Sequence, residues 1–255
     1  MSREEREAHF HSVKRANQKP GSVEYQKYTA YTKWYWATYA NESFTDKWMK
    51  QWCPGNRILD FGCGEGDSSI LLAQFGATVV GVDITEDAVQ VARDLAIAKG
   101  LEDKIEFQVG NVEALDFEDE SFDAIWCHGV LHHVDMRIAL TEMNRLLKPG
   151  GSAIATEALK YNPFISIYRR LTPHLRSSDE RPLSKSDIDV APEIFPRIER
   201  RFFHLTSLFV VPLRSIPGSK LLLKATSFID GILLRIPIFQ WLAWQVTLIL
   251  HKPAK

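Results

Sequence analysis

The sequence predicts an α/β fold in which helices cover both faces of a doubly wound, parallel sheet. Between residues 57 and about 158, short apolar segments of strand length alternate with segments of helix length. Such alternation requires crossover connections, which make the strands parallel and place helices on both faces. The chain of 255 residues is 45% hydrophobic and 25% charged, which is typical of a globular protein with a sizeable core.

The first part of this region predicts two strands and two helices. "RILDF" is the first strand, and the helix "DSSILLAQFG" begins near Asp67 and ends before Gly76. "TVVGVD" is the second strand, and "TEDAVQVARDLAIAKG" is the second helix. We expect Thr85 to cap this second helix and Gly100 to end it.

The next part predicts three more strands, "KIEFQVG", "FDAIWCH" and "SAIATE". The helix "MRIALTEMNRLL" and the turn "KPGG" separate the last two of these strands. Ligands of such sheets bind beyond the carboxyl ends of the strands, at the switch point beside the first strand. The glycine-rich segment after "RILDF" occupies that position.

The sequence changes in character after residue 158. "YNPFISIYRRLTPHLRSSDERPLSKSDI" predicts an irregular insertion, "RIERRFFHLTSLFVVPLR" a strand, "SKLLLKATSFIDGILLRI" a helix and "WQVTLILHKP" a closing strand. Lys224, Asp230 and Arg235 interrupt the apolar runs, so no run reaches the ~18 uncharged residues of a spanning helix. Two interpretations stay open: a buried helix with a strand, or a face that docks on a membrane.

The N-terminal part is polar at first and then aromatic. Tyr25, Tyr28, Tyr31 and Tyr35 fall close to one stripe of a helix. This pattern indicates either a helix packed on the main domain or a lid over a site. In the second interpretation Tyr28 and Trp36 close a cofactor pocket and Tyr25 contacts the substrate.

Charge and cysteine content narrow the class of protein. A net charge of −1 argues against a nucleic-acid partner. Three widely spaced cysteines, with no C-x-x-C pair, indicate a reducing compartment and neither a disulfide framework nor structural zinc. The charged N-terminus lacks the apolar run of a signal peptide, so we expect a cytoplasmic protein, with peripheral contact at the inner face of the membrane left open. The oligomeric state is not predicted.

The segment "RILDFGCGEGDSS" indicates a nucleotide-binding loop. Gly62, Gly64 and Gly66 allow a sharp turn and a close approach of the backbone to a ligand. Asp83 ends the second strand, 17 residues after Gly66, where a carboxylate is placed to accept both hydroxyls of a ribose.

Charge decides which nucleotide suits this loop. A dinucleotide needs its pyrophosphate cradled at a helix N-terminus. Asp60, Glu65 and Asp67 instead surround the loop with negative charge. S-adenosylmethionine (SAM) has a ribose, a sulfonium and an ammonium group and no phosphate, so the acidic loop favours SAM over NAD.

Four segments resemble the motifs of class I SAM-dependent methyltransferases, in the group that contains quinone and small-molecule methyltransferases. They are "ILDFGCGEG", "VVGVDIT", "GNVEALDFEDESFDAIWCHGVLHHV" and "LLKPGGSAIATE", in the family's order over about residues 55–158. The resemblance implies a seven-stranded, mostly parallel sheet whose last strand is antiparallel. It also implies SAM as the methyl donor and S-adenosylhomocysteine as the product.

The resemblance implies a set of SAM-binding residues. Asp60, Gly62 and Gly64 would contact the methionine part, Asp83 would hold the ribose hydroxyls, and His128 would lie near the methionine end. The remaining members of the predicted cofactor set are Cys63, Gly66, Ile84, Asn111, Val112, Glu113, Tyr28 and Trp36. Ile84, Asn111 and Val112 would meet the adenine. The family commonly has Asp where this chain has Asn111, but an amide oxygen still accepts from the adenine amino group.

The implied architecture divides the chain into three parts. Residues 1–52 are an N-terminal helical lid or substrate segment, residues 53–158 a Rossmann-like SAM-binding core, and residues 159–255 a substrate-side, apolar helical insertion with the strands that complete the sheet.

"CHGVLHHV" offers histidines at the mouth of the predicted site. Histidine titrates near neutrality, so one of them is a candidate general base for the transfer. We favour His133, with His132 second; the alternative is that the pair packs and caps the strand end. We expect no metal, because H-x-x-x-H-H lacks supporting carboxylates nearby.

The acceptor is predicted to be small or lipidic and apolar, methylated on O, S, N or C. We expect it between the aromatic N-terminal segment and residues 159–200, where Arg169, Arg170 and Arg176 would bind an anionic group; the alternative is that these arginines form a solvated face or pair with acids. Two other functions remain: a catalytically silent methyltransferase-like module that docks a partner or membrane through its apolar C-terminus, and an NAD-linked oxidoreductase.

Overall fold

The computed structural model describes residues 2–17, 37–173 and 180–254. Seven strands form one sheet: β1 Arg57–Phe61, β2 Thr78–Asp83, β3 Ile105–Val109, β4 Phe122–His128, β5 Leu147–Ala158, β6 Arg197–Phe203 and β7 Gln245–His251. The described α-helices are α1 Arg3–Asn17, α2 Tyr39–Trp52, α3 Asp67–Gln74, α4 Glu86–Lys99, α5 Met136–Leu146, α6 Pro163–Leu171, α7 Lys185–Ile188, α8 Ala191–Ile194, α9 Ser219–Leu233 and α10 Pro237–Gln240.

The order of strands in the sheet is β3-β2-β1-β4-β5-β7-β6. The pairs among β1 to β5 are parallel, whereas β7 runs antiparallel to both β5 and β6. This confirms the predicted fold class, a doubly wound seven-stranded sheet closed by an antiparallel strand. β2 and β3 lie on one side of β1, and β4 and β5 lie on the other side. The strand order therefore reverses between β1 and β4, and the carboxyl ends of these two strands are the expected ligand-binding position.

Alternate residues of the central strands point into two separate cores, as the pleat requires. Leu59, Phe61 and Ile125 face the side covered by α5. Ile58 and Ala124 face the side covered by α2, α3 and α4. Because both faces are buried, these strands have continuous apolar sequences and not an alternating pattern.

Local signals determine several helix ends. Asp135 accepts from the backbone N–H groups of Arg137 and Ile138 and caps α5, and Gly100 ends α4 in the left-handed conformation. The expected cap by the side chain of Thr85 is wrong: its hydroxyl donates to Oδ1 of Asp83 at 2.8 Å. Because the hydroxyl of Thr85 bonds to the carboxylate of Asp83, it does not cap the first turn of α4.

Two assignments beyond residue 158 also need correction. The segment expected to be irregular contains α6, which begins because Asn162 accepts from the N–H of Ile165 and Pro163 occupies the first turn. The strand expected over residues 197–214 ends at Phe203. His204 has a φ of 65°, which ends the extended conformation, and a 3-10 helix, Ser207–Leu213, follows.

The segment between β6 and β7 lies at the carboxyl edge of the central strands. Ala158 near the end of β5 pairs with Gln245 at the start of β7, and Phe203 at the end of β6 pairs with the same glutamine. The 3-10 helix, α9 and α10 therefore emerge at the edge where the glycine loop lies. Among the described residues, none of the helices is both long and apolar enough to cross a membrane.

Candidate active site

The glycine loop after β1 turns back on itself through residues in the left-handed region. Gly62, Gly64 and Gly66 have φ values of 81°, 53° and 90°. The N–H of Gly62 donates to the carbonyl of Val82 at 2.9 Å, which holds the loop against β2. A Cβ on Gly62 would stand 2.4 Å from Cγ2 of Val130, whereas a Cβ on Gly64 would meet nothing within 4 Å. As far as the structure describes the chain, the Gly64 side of the loop is open to a ligand.

Asp83 connects the end of β2 to this loop. Its Oδ2 accepts from the N–H of Gly64 at 3.0 Å, and its Oδ1 accepts from the N–H and the hydroxyl of Thr85 at 2.9 and 2.8 Å. A carboxylate offers about four acceptor positions. Acceptor capacity therefore remains for a hydroxyl that approaches from the cavity.

A cavity of about 260 Å³ lies beyond the carboxyl ends of β1, β2 and β4. Among the described residues, its lining carries four carboxylates and one guanidinium, those of Glu4, Glu7, Asp83, Glu113 and Arg3. This excess of negative charge suits a cationic ligand and repels a pyrophosphate.

Helix α1 closes one side of the cavity. The guanidinium of Arg3 hydrogen-bonds to Oε2 of Glu113, and Oε1 of Glu113 accepts from the N–H of Asp135 at 2.8 Å. Oε2 of Glu7 lies 3.1 Å from Nδ1 of His133. These contacts join the N-terminus to the loops after β3 and β4.

The loop after β4 is held by a buried carboxylate, Glu157, in β5. Its Oε1 accepts from the N–H groups of Val130 and Leu131 at 2.9 and 2.7 Å, and its Oε2 lies 2.6 Å from Nδ1 of His132. Burial alone would lower the pKa of His132, but the charge and hydrogen bond of Glu157 outweigh it and the pKa is raised. The hydrogen bond between His132 and Glu157 therefore favours the charged forms of both groups, and the pair positions this loop.

His133 differs from its neighbour in both position and charge. Its ring lines the cavity, whereas His132 is not part of the lining. Burial lowers the pKa of His133, and Glu7 only partly offsets this. At neutral pH its imidazole is uncharged and able to take a proton.

Comparison with known proteins relates this site to methyltransferases. The family model for a methyltransferase domain matches residues 59–155, which is less than half of the chain. Residues 59–155 are similar to a methyltransferase domain. Methyltransferase GfsG of Streptomyces halstedii is 39% identical over 99 residues, which are 38% of this chain and 36% of that protein. The demethylmenaquinone methyltransferase of Symbiobacterium thermophilum is 37% identical over 134 residues, which are 49% of this chain and 53% of that protein.

The chain thus matches between about a third and a half of the length of these relatives. Among solved structures, geranyl diphosphate methyltransferase in complex with SAM has a TM-score of 0.58 at 20% identity, over 94% of this chain and 95% of that chain. The 4+2 cyclase SpnF has a TM-score of 0.53 at 21% identity, over 79% of this chain and 77% of that chain. A cyclase shares the fold, so the fold alone does not decide the reaction.

Most of the predicted cofactor residues of the methyltransferase domain meet at the cavity. The lining contains Gly62, Gly64, Asp83, Ile84, Asn111, Val112, Glu113 and His128. The cavity therefore combines a carboxylate, an open loop at Gly64 and an acidic wall, and these features fit the ribose and the cationic groups of SAM.

Three other predicted cofactor residues lie behind the loop. Asp60 is buried and accepts from the hydroxyl of Ser69 at 2.6 Å; burial raises its pKa to about 7. Burial likewise raises the pKa of Cys63, which disfavours a nucleophilic thiolate. A Cβ on Gly66 would lie 2.8 Å from that of Ala92, so this glycine allows the loop to pack on α4.

The predicted substrate residues are not brought to the cavity as far as the structure describes them. Arg169 donates to Glu180 at 2.7 Å, as the ion-pair alternative predicts, and Arg170 is exposed on α6. Tyr25, Tyr28, Trp36 and Arg176 lie outside the described residues.

A second cavity of about 80 Å³ adjoins the first. Its lining includes Asn41 and Glu42 of α2 and Trp126 of β4. His128 lines both cavities, so its side chain lies between the space for the cofactor and this second space.

Sequence reasoning missed three features of the methyltransferase domain's surroundings. It gave no role to Arg3 or Glu7, although α1 carries Glu7 and His11 at helical spacing. It overlooked Glu157, which the sequence indicates only as an acidic residue near the end of a strand beside the predicted ligand site. The statement that carboxylates are lacking near the histidines is also wrong, because one oxygen or ring nitrogen from each of Glu7, His11 and His133 lies within 4.8 Å of the others.

Proposed function

We propose that this protein transfers a methyl group from SAM to a small, apolar acceptor. The observation that carries the proposal is the carboxylate of Asp83, which lines an acidic cavity beside the open glycine at position 64. The methyltransferase domain at residues 59–155 supports it. The activity is proposed for the protein as a whole, since its relatives match only in part.

The chain's own residues have three tasks in this proposal. Asp83 accepts a ribose hydroxyl at its remaining acceptor position, Asn111 and Val112 contact the adenine, and the acidic wall attracts the cationic end of the donor. When bound, SAM supplies a methyl group activated by its sulfonium, so the protein has mainly to align the acceptor and remove a proton where the acceptor has one. α1 excludes water from the cavity on one side.

His133 is the proposed general base. Its ring lines the cavity, and its lowered pKa keeps it neutral at pH 7. His132 is instead a positioning residue, because its ion pair with Glu157 holds the loop that carries His133. Breaking this pair would leave the carboxylate of Glu157 buried and unpaired, which costs free energy, so the pair is stable.

The acceptor is proposed to enter beside His128, where the second cavity begins. Two similar proteins are named for demethylmenaquinone and geranyl diphosphate, and these names support a small-molecule acceptor for this chain. We also propose a cytoplasmic location, because all three cysteines, Cys53, Cys63 and Cys127, are free and buried.

The decisive experiment combines calorimetry with an acceptor screen. We expect SAM to bind and NAD not to bind. We expect release of S-adenosylhomocysteine with one class of acceptor among thiols, phenols, quinones, sugars and lipid extracts. Binding of NAD without SAM would overturn the cofactor assignment. Binding of SAM without turnover on any acceptor would instead favour the silent docking module.

A further inference from the structure

Helix α9 has its apolar face turned outward. Leu221, Phe228 and Ile232 follow each other at spacings of seven and four residues, so they share one face of the helix. Leu221 is 74% exposed and Phe228 is 72% exposed. The opposite face, which contacts the protein, includes Leu223 and the polar residues Ser219 and Asp230. Helix α9 therefore has large apolar side chains on its exposed face, which is usually polar in a helix on a globular surface.

The orientation of α9 is held by the buried carboxylate of Asp230. Its oxygens accept from the backbone N–H groups of Leu205, Thr206 and Ser207 at 3.1, 2.6 and 3.2 Å. They also accept from the hydroxyls of Thr206 and Ser207 at 2.6 and 2.7 Å. Turning the apolar face inward would break all five hydrogen bonds and leave buried donors unpaired. The outward face is therefore a fixed feature of the fold.

The apolar surface extends beyond α9 along the same edge of the sheet. Ile238 of α10 is 73% exposed, and Leu171 at the end of α6 is 75% exposed. The rings of Phe164 and Phe209 meet edge to face with centroids 4.6 Å apart, which joins α6 to the 3-10 helix. We call the exposed apolar side chains of α6, the 3-10 helix, α9 and α10 the apolar edge.

The charges around this surface are almost all positive. Between residues 201 and 255 the sequence has one acidic residue, Asp230, and this one is buried under α9. Lys220, Lys224 and Arg235 are exposed beside the apolar side chains. An apolar face with flanking basic residues is the pattern of helices that lie in the interface of an anionic membrane.

We propose that the apolar edge docks on an anionic lipid surface, with α9 parallel to the membrane plane. The basic side chains contact lipid phosphates, while Leu221, Phe228 and Ile232 enter the boundary between headgroups and acyl chains. A symmetric contact with a second copy would place two sets of cations together without acids, and like charges oppose it. Because the edge adjoins the carboxyl ends of the strands, docking would bring a lipid-dissolved acceptor to the side of the sheet that carries the proposed site.

Vesicle co-sedimentation of the full chain tests this proposal without reference to methyl transfer. We expect binding to phosphatidylcholine vesicles that contain about 30 mol % phosphatidylglycerol, and weaker binding to phosphatidylcholine alone. Combined Leu221→Gln, Phe228→Gln and Ile232→Gln substitutions should weaken binding about tenfold or more. The matched control is Ile97→Gln on α4, whose side chain is 62% exposed and lies outside the apolar edge; it should bind like the unchanged protein.

The charge contribution has its own readout. Lys220→Glu with Lys224→Glu should remove most of the preference for anionic vesicles. Circular dichroism should show that all variants are folded, because each substituted side chain is exposed. The proposal is wrong if the unchanged protein sediments with neither vesicle, if the triple glutamine variant binds as well as the control, or if the control loses binding equally. It is also wrong if the triple variant only dissociates a dimer in sedimentation velocity, which would assign the face to a second copy.

Discussion

Replacing Asp83 by Asn tests the cofactor site most directly. The carboxylate accepts three hydrogen bonds, from the N–H of Gly64 and from the N–H and hydroxyl of Thr85. An amide has one acceptor oxygen, so its NH₂ group would face at least one of these donors. The substitution removes a negative charge from the cavity and disturbs the glycine loop while changing side-chain volume very little.

The expected losses of SAM affinity and of folding stability follow from these contacts. A hydrogen bond to a charged group contributes about 1.5–3 kcal/mol, so losing the charged acceptor for the ribose should weaken SAM binding about tenfold to a hundredfold. Loss of one loop hydrogen bond should lower the free energy of unfolding by about 1–2 kcal/mol. Calorimetry measures the first quantity and urea denaturation the second.

A matched control separates charge from position. Asp87→Asn removes the same charge from an exposed residue in the first turn of α4, and we expect SAM affinity to change less than about twofold. SAM affinity equal to the unchanged protein in Asp83→Asn would refute the ribose assignment. An equal loss in both variants would show that general electrostatics, and not this carboxylate, governs binding.

Three further predictions concern the base, the loop and the buried acid. His133→Ala should abolish most turnover with little change in SAM affinity. Because burial lowers the pKa of His133 from 6.5, the acidic limb of the kcat/KM profile should lie below pH 6.5. A limb above pH 6.5 would indicate that His132 is the base instead. Gly62→Ala should lower the free energy of unfolding by about 2–4 kcal/mol in denaturant melts. The control is Gly55→Ala, whose φ of 74° is similar but whose added Cβ would meet nothing within 4 Å, so its loss should be smaller. Equal losses in the two variants would exclude the clash between residue 62 and Val130. Burial raises the pKa of Asp60 from 3.8 to about 7, so the folded state binds this proton more tightly than the unfolded chain does. The free energy of unfolding should therefore fall by up to about 4 kcal/mol as pH rises from about 4 to 7. Asp60→Asn should flatten this pH dependence, and an unchanged slope would contradict the assignment.

The sequence by itself determined the sheet and the position of the glycine loop and of Asp83 at its edge. The strands and the helices between them are local patterns of apolar residues, and the parallel direction of the strands follows from the crossover connections. Gly62, Gly64 and Asp83 could be assigned because the loop and the strand tip that carry them are placed by the fold itself. Gly100 could likewise be recognised as the end of α4, since this signal is also local.

Tertiary structure alone decided which side chains meet across large separations in the sequence. Arg3 reaches Glu113, which is 110 residues away, and His132 pairs with Glu157, which is 25 residues away. Asp60 points into the core and not into the cavity because the hydroxyl of Ser69 lies behind the loop. The outward apolar face of α9 depends on Asp230 and on five donor groups of Leu205, Thr206 and Ser207, which follow β6. Periodicity shows that a helix has an apolar face, but the direction of that face is set by the hydrogen-bond partners that packing brings together.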